Sequence, residues 1–346
     1  MRAVVKYDNI PGATEIREVP VPEINDDEVL IKVAYAGICG GDPHIHSQTM
    51  SYPPVVEVPL ILGHECSGIV AAVGRNVSGV KAGDHVVPET HVGFCGECYY
   101  CRQGMFNLCK ERKGLGAGAP GVFAEYVKAD RRAVHLLNSE TSLRKAALTE
   151  PLCIVYNSLV KHSCLKPGDT VAIIGAGSMG LLSGALAKAM GAGEVVLLGT
   201  PADAGRFEIA KGVGIRDFAY VTDHTPEEIK KRYTDGRGFD LVVDGAGNRA
   251  AFWSAIQLVR PLGEINKIGF GPEPFDRSLD PLNLMGATVN FAFSHTWDVW
   301  EKSVKLIEKN IVDVEKIVTH ELALEEFETG FQLMDRQEGV KVLLKP

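Results

Sequence analysis

Two textures of hydrophobic patterning divide the chain. Up to about residue 150, short apolar stretches alternate with turns rich in glycine, and their spacing predicts strands over 28–36, 68–73, 85–88 and 123–127. Such segments make an all-β, barrel-like unit. Beyond Pro151, apolar runs alternate with helix-period segments: strands over 171–174, 195–198, 239–243, 264–270 and 287–293, helices over 178–190, 204–212, 226–233 and 249–259. That alternation predicts a parallel, doubly wound sheet. The tail carries helices near 297–309 and 324–335 and a closing strand over 341–345, and is expected to return to the first unit. The fold class is therefore α/β plus all-β, with domains over 1–152, 153–294 and, returning to the first, 295–346. A groove between compact units is the expected place for chemistry.

The run from Thr170 to Gly199 organises the second texture. Val171 to Ile174 form a buried strand, Gly175-Ala176-Gly177-Ser178-Met179-Gly180 a turn into a helix with Leu181, Leu182, Leu186 and Met190 on one side, and Val195 to Leu198 the next strand. This is a dinucleotide-binding pattern. Gly175 permits the tight turn, Gly177 lets the backbone approach a pyrophosphate, and Gly180 lets the helix pack on the sheet, while the helix start at Ser178 and Met179 supplies N–H groups for the phosphates. The uncharged stretch 171–187 is near the lower length limit of a membrane span. Its glycines and serines, and the lack of a basic flank, make it buried sheet plus core-facing helix instead.

Composition narrows the class. The chain has 346 residues, 45% of them hydrophobic and 23% charged, too many for one core and ordinary for a globular protein. A net charge of −8 and a pI near 5.7, with no basic cluster, argue against nucleic acid or an anionic membrane as partner. The segment after Met1 has no apolar core of signal-peptide length, so a cytoplasmic location with reduced thiols is expected. Eight cysteines are too few for a disulfide scaffold, and five of them fall in arrangements that suit a metal.

Cys95, Cys98, Cys101 and Cys109 have the spacing C-x2-C-x2-C-x7-C, and four thiolates so placed close a tetrahedral shell around zinc. A closed shell stabilises a loop rather than reacting. A second, dispersed constellation comprises Cys39, Asp42, His44, Gly63-His64-Glu65 and Glu150-Pro151. One thiolate, one imidazole and one carboxylate would leave a fourth position on zinc for water or substrate.

Together these residues resemble the zinc-dependent medium-chain dehydrogenase/reductase family, and within it the polyol and threonine dehydrogenase branch. The resemblance covers essentially the whole chain: Cys39-Gly-Gly-Asp42, Gly63-His64-Glu65-x-x-Gly68, Gly83-Asp84-x-Val86, the four-cysteine loop, Phe123-Ala-Glu-Tyr126, Glu150-Pro151-Leu152, the glycine turn and Gly339-Val-Lys-Val-Leu343. It implies a GroES-like barrel built from both chain ends with a Rossmann domain inserted. It implies two zinc ions per chain, the catalytic one on Cys39 and His64, with Glu65 or Glu150 as acidic partner and Asp42 orienting His64. The implied activity is reversible oxidation of a secondary alcohol to a ketone by hydride transfer to NAD or NADP. His44 fits a proton relay, although Gly41 stands where a serine or threonine is usual in the family.

At the end of the second strand, Gly199 stands where NAD enzymes usually carry an acid. Its absence removes repulsion toward a 2′-phosphate that Thr200 and Arg206 would hold, which favours NADP, while Asp203 in the same loop would serve NAD. The apolar strand over 287–293 is expected to pair with its copy in a homodimer or homotetramer. The rivals are a zinc-independent quinone or enone reductase of the same fold and a non-catalytic NADPH-binding protein, and the presence of Cys39, His64, Glu65 and Glu150 argues against both.

Overall fold

The computed structural model describes residues 1–49, 56–271 and 273–346, and the chain forms two compact units. The first comprises Met1–Glu150, His295–Asn310 and Val318–Pro346, the second Pro151–Ser294 and Ile311–Ile317. The sequence places the whole of 295–346 in the first unit, and here the structure corrects it. Val312, Val314 and Ile317 are buried, and the turn Val314–Ile317 packs on the helices Ser178–Ala189 and Ala204–Gly212 of the second unit. The break after Glu150 also falls two residues before the expected boundary at 152/153.

The strand Glu28–Gly37 is the axis of the first unit. It pairs antiparallel with Glu65–Val73 along its length, with Tyr126–Asp130 at its start and with the closing strand Lys341–Lys345 at its end. Lys341–Lys345 runs parallel to Val318–Ala323, and on the other side Glu65–Val73 continues to His85–Pro88 and Val134–Leu136. Both chain ends thus enter one sheet. The core reflects this, because Phe327, Phe331, Val342 and Leu344 from the tail cluster with Val29, Ile31, Val33 and Phe123. Burial of such side chains is the main force holding the unit together. The strand expected over 123–127 begins three residues later, at Tyr126. Phe123 bonds instead to Val4 and Leu62, tying the small N-terminal sheet to the core.

The second unit is a six-stranded, wholly parallel sheet. Its spatial order is Asp217–Tyr220, Glu194–Gly199, Thr170–Ile174, Phe239–Asp244, Val259–Lys267 and Thr288–Phe291, that is 3-2-1-4-5-6. Asp217–Tyr220 is the strand that patterning missed, since this edge strand is charged and aromatic and fully buries only Ala219. The uncharged stretch is the central strand followed by the helix Ser178–Ala189, whose residues 180–187 are all buried. Among the described residues no helix is long and apolar enough to cross a membrane.

One charged side chain ties three strands at the start of this sheet. Asp240 accepts from the Thr170 amide and hydroxyl, both at 2.8 Å, and from Arg260 Nε at 2.6 Å. Partial burial alone would push its carboxyl up, but these donors outweigh it and hold the pKa below the ordinary value. A depressed folded-state pKa gives stability that is complete above the unfolded value of about 4 and is lost as pH falls through the folded one. Asp240→Asn is expected to destabilise the second unit by about 1–2 kcal/mol at neutral pH. Denaturant titrations of both proteins at several pH values should show the difference constant above about pH 4 and shrinking progressively as pH falls further; a difference independent of pH would contradict this account.

Candidate active site and metal centre

The four-cysteine loop folds into a tight cluster. The Sγ atoms of Cys95, Cys98, Cys101 and Cys109 all lie within 4.8 Å of one another, with Cys95 to Cys109 at 3.6 Å and Cys95 to Cys101 at 3.9 Å. Sulfurs about 3.8 Å apart are what a tetrahedral shell with Zn–S near 2.3 Å requires, whereas a disulfide would bring a pair to about 2 Å. The amides of Cys98 and Cys101 point at the sulfurs of Cys95 and Cys98. The loop is braced by Phe94 stacked on Phe106 at 4.0 Å and by Arg132 over Phe94. The donor set fits zinc.

The dispersed residues also converge. Donor atoms of Cys39, His64 and Glu65 lie within 4.8 Å of one another. Gly63 has a φ of +86°, and a Cβ there would overlap Phe123, so glycine is needed to turn the chain into His64. Asp42, buried at the start of the helix Gly41–Ser47, accepts from the Cys39 amide at 2.8 Å. It faces His64 Nδ1 at 3.8 Å, beyond hydrogen-bond range, so its firm hold is on the Cys39 backbone. Burial pushes its carboxyl up to about 6.

Glu65 is clasped from behind. Lys341 Nζ donates to both its oxygens, at 2.9 and 2.8 Å, and to the Ile38 carbonyl at 3.0 Å. Both side chains are 1% exposed. Burial would lower the lysine pKa, but Glu65 and Cys39 outweigh it and hold the ammonium above its ordinary value. A Cβ at Gly37 would overlap Glu65 Oε2, so that glycine makes room for the pair.

Glu150, in the first turn of the helix Thr149–Tyr156, lies outside the three-donor group, but its charge acts on His64. Its Oε1 is 3.4 Å from Thr90 Oγ1 and 3.4 Å from His295 Nε2. Burial pushes this carboxyl up, but His295, His64 and Lys341 outweigh it and hold it below the ordinary range. His91 packs its ring 5.5 Å from that of His295, and burial takes its pKa down to about 3. His44 is exposed and bonded to Thr49 at 2.8 Å, and no hydrogen bond or ion pair joins it to Cys39, His64 or Glu65. His46 rests against Phe331.

At the glycine turn, Gly175 has a φ of +100° and sits against Ala246, and a Cβ at Gly180 would overlap the Gly175 carbonyl. Gly177 is different, because a Cβ there meets nothing within 4 Å. It precedes a helix start at Ser178 and Met179 that carries no side-chain cap, leaving N–H groups for an anion. The turn fits a dinucleotide. At the strand end beyond it, Asp203, the acid expected to serve NAD, folds back to accept from the Thr200 amide at 2.9 Å and hydroxyl at 3.1 Å, and lies 3.4 Å from Arg206. Its carboxylate fills the space a side chain at Gly199 would take. A negative charge is therefore present beside Gly199, supplied from Asp203.

The chain matches an alcohol dehydrogenase GroES-like domain over residues 25–139 and a zinc-binding dehydrogenase domain over 178–309. It is 36% identical to a sorbitol dehydrogenase of Halalkalibacterium halodurans and 36% identical to an L-threonine 3-dehydrogenase of Bacillus velezensis, in each case over 100% of this chain and 99% of the relative. The structure of the alcohol dehydrogenase TADH from Thermus sp. ATN1 superposes with a TM-score of 0.89 at 30% identity, covering 100% of this chain and 99% of that one. Fold and relatives together define the class as a dinucleotide-linked oxidoreductase acting on CH–OH groups. The chain belongs to the zinc-binding dehydrogenase family with a GroES-like domain, and its cofactors are zinc and NAD(P).

Sequence reasoning missed Lys341, His91 and His295. Lys341 left a trace, a charge set between the apolar Val340 and Val342 at the start of the closing strand, but its partner lies 276 residues away. Lys341→Met strands a buried carboxylate and is expected to cost about 3–5 kcal/mol. Adding Glu65→Leu should recover most of that stability without restoring catalysis. Denaturant unfolding of the single and double variants checks this, and equal stability of Lys341→Met and the parent would contradict it.

Proposed function

We propose that this enzyme oxidises a polyol, a sugar alcohol or a 3-hydroxy amino acid at a secondary hydroxyl, reversibly, with Cys39, His64 and Glu65 holding the catalytic zinc and Glu150 beside them. The observation that carries the reading is the convergence of Cys39, His64 and Glu65 from separate elements, with donor atoms within 4.8 Å. The substrate range follows the relatives that act on sorbitol and threonine. Bound zinc would supply Lewis acidity that lowers the pKa of a substrate hydroxyl, and bound nicotinamide would accept the hydride. Asp42 fixes the Cys39 backbone, Lys341 orients Glu65, and the ionised Glu150 adds negative charge facing His64. His44 Nδ1, linked through Thr49 to Ser47, is an exposed point suited to releasing a proton to solvent.

We assign the cluster of Cys95, Cys98, Cys101 and Cys109 to a structural zinc. Ser178, Met179 and the three glycines would hold the pyrophosphate, with Gly199, Thr200 and Arg206 at the ribose. Because Asp203 neutralises Arg206, that corner discriminates weakly, and the lean to NADP drawn from Gly199 gives way to use of either coenzyme. A cytoplasmic location agrees with eight cysteines that form no disulfide among the described residues. A homodimer or homotetramer formed through the strand Thr288–Phe291 agrees with its position at the edge of the sheet and with the 69% exposure of Phe291.

Metal analysis of purified protein is expected to give two zinc ions per chain, and chelation of one should abolish turnover. A panel of polyols, secondary alcohols and 3-hydroxy amino acids should show oxidation with kcat/KM for NAD and NADP within roughly tenfold of each other. One zinc, or turnover that survives chelation, would favour a zinc-independent reductase. Light scattering should report a multiple of the 37.4 kDa chain; a monomer would refute the edge-strand assembly.

A further inference from the structure

Behind Glu150 lies a run of buried rings that the reaction outlined above does not use. His295, 1% exposed, lies two residues before the helix Trp297–Glu308 that carries Trp300, itself 1% exposed. Trp300 Nε1 donates to His295 Nδ1 at 2.7 Å, and the two rings meet edge to face, 4.9 Å apart at 82°. The indole is held in turn. It stacks on His135 at 5.7 Å and 9°, and the two nitrogens of His135 are bonded to Glu301 at 2.6 Å and Glu89 at 2.9 Å.

This arrangement fixes a proton. An indole N–H donates and never accepts, so the ring nitrogen facing it must offer a lone pair. The ring proton of His295 is thereby left on Nε2. That atom has no aligned hydrogen-bond partner, and it stands 3.4 Å from Glu150 Oε1. Thr90 Oγ1 approaches the same oxygen at 3.4 Å, so both groups face one oxygen of the carboxylate.

We propose that Trp300 locks His295 in the Nε2–H tautomer, and that His295 is thereby a positioning residue that sets the orientation of the Glu150 carboxylate beside the Cys39–His64 pair. This rests on the metal-dependent dehydrogenase reading. Groups that orient a ligand or its neighbours from behind commonly change metal affinity or activity by about 10- to 100-fold when removed. The same lock makes Trp300 more than core filling, because its N–H, not its bulk, selects the tautomer.

The test uses the zinc-loaded, full-length enzyme with isotopically labelled histidine. NMR should show His295 of the parent protonated at Nε2 with Nδ1 as acceptor, and Trp300→Phe, which keeps most of the packing, should lose that fixed tautomer. A glutamine amide reaches the place of Nε2, whereas an asparagine amide lies near Nδ1. His295→Gln is therefore expected to keep kcat and catalytic-zinc affinity within about threefold, and His295→Asn and His295→Leu to lower both by about 10- to 100-fold, with coenzyme affinity unchanged. A proton on Nδ1 in the parent, or His295→Leu with parental zinc affinity and kcat, would overturn the proposal. The parental spectrum decides even if a variant fails to fold. Should turnover prove independent of the zinc at Cys39, the functional reading falls, while the parental tautomer still judges the Trp300–His295 lock on its own.

Discussion

The buried pair between Lys341 and Glu65 is the contact on which the first unit depends. It joins a residue of the last strand to the residue next to His64, so the strand that closes the fold also sets one of the three donors proposed to hold the catalytic zinc. Removing both charges from water is costly, and the pair is tolerable because the lysine finds three acceptors and the carboxylate two donations from one ammonium. Its worth lies in what it excludes. Gly37 leaves room for the Glu65 carboxylate, and a register slip of the closing strand would carry Lys341 away and bury an unpaired charge.

The rest of that unit reads as support for three side chains. Gly63 turns the chain into His64, Asp42 ties down the amide of Cys39, and the tail helix Phe327–Asp335 completes the core beneath them. Glu150 is reached differently, through a helix start on one side and the ring stack of His295, Trp300 and His135 on the other. Polar atoms buried this deeply are expensive unless each has a partner, and nearly all of these do. The polar architecture behind the donors is therefore as specific as the donors themselves.

The second unit solves a simpler problem. A parallel sheet covered by helices needs apolar strands, a tight turn and a helix start, and these are local properties. Gly175 and Gly180 are dictated by close backbone approach, whereas a Cβ at Gly177 would meet nothing within 4 Å, so the protein's own packing does not require that glycine. The strand end at Gly199 shows the limit of local reasoning. The missing carboxylate in the second strand favoured NADP while Asp203 in the same loop kept NAD open, and Asp203, four residues on, folds its side chain into the space left by Gly199. Backbone hydrogen bonding to Thr200, which spacing does not reveal, put the charge back.

The sequence by itself determined the elements and chemistry that depend on near neighbours: the six-stranded alternation apart from its charged edge strand, the glycine turn, the four-cysteine loop and the identity of Cys39, His64, Glu65 and Glu150 as metal-capable groups. Periodicity and spacing are short-range signals, and the strands, the glycine turn and the four-cysteine loop are short-range; Cys39, His64, Glu65 and Glu150 are dispersed along the chain and were picked out through the resemblance to the family. Tertiary structure decided everything that needed two distant segments at once: which carboxylate groups with Cys39 and His64, that Lys341 holds it, that Asp42 grips a backbone amide rather than His64, that residues 311–317 leave the first unit, and that His295 faces Glu150. The physical reason is that burial and pairing of charge are properties of a place in the folded chain, and a pattern along one segment carries no information about what another segment brings to it.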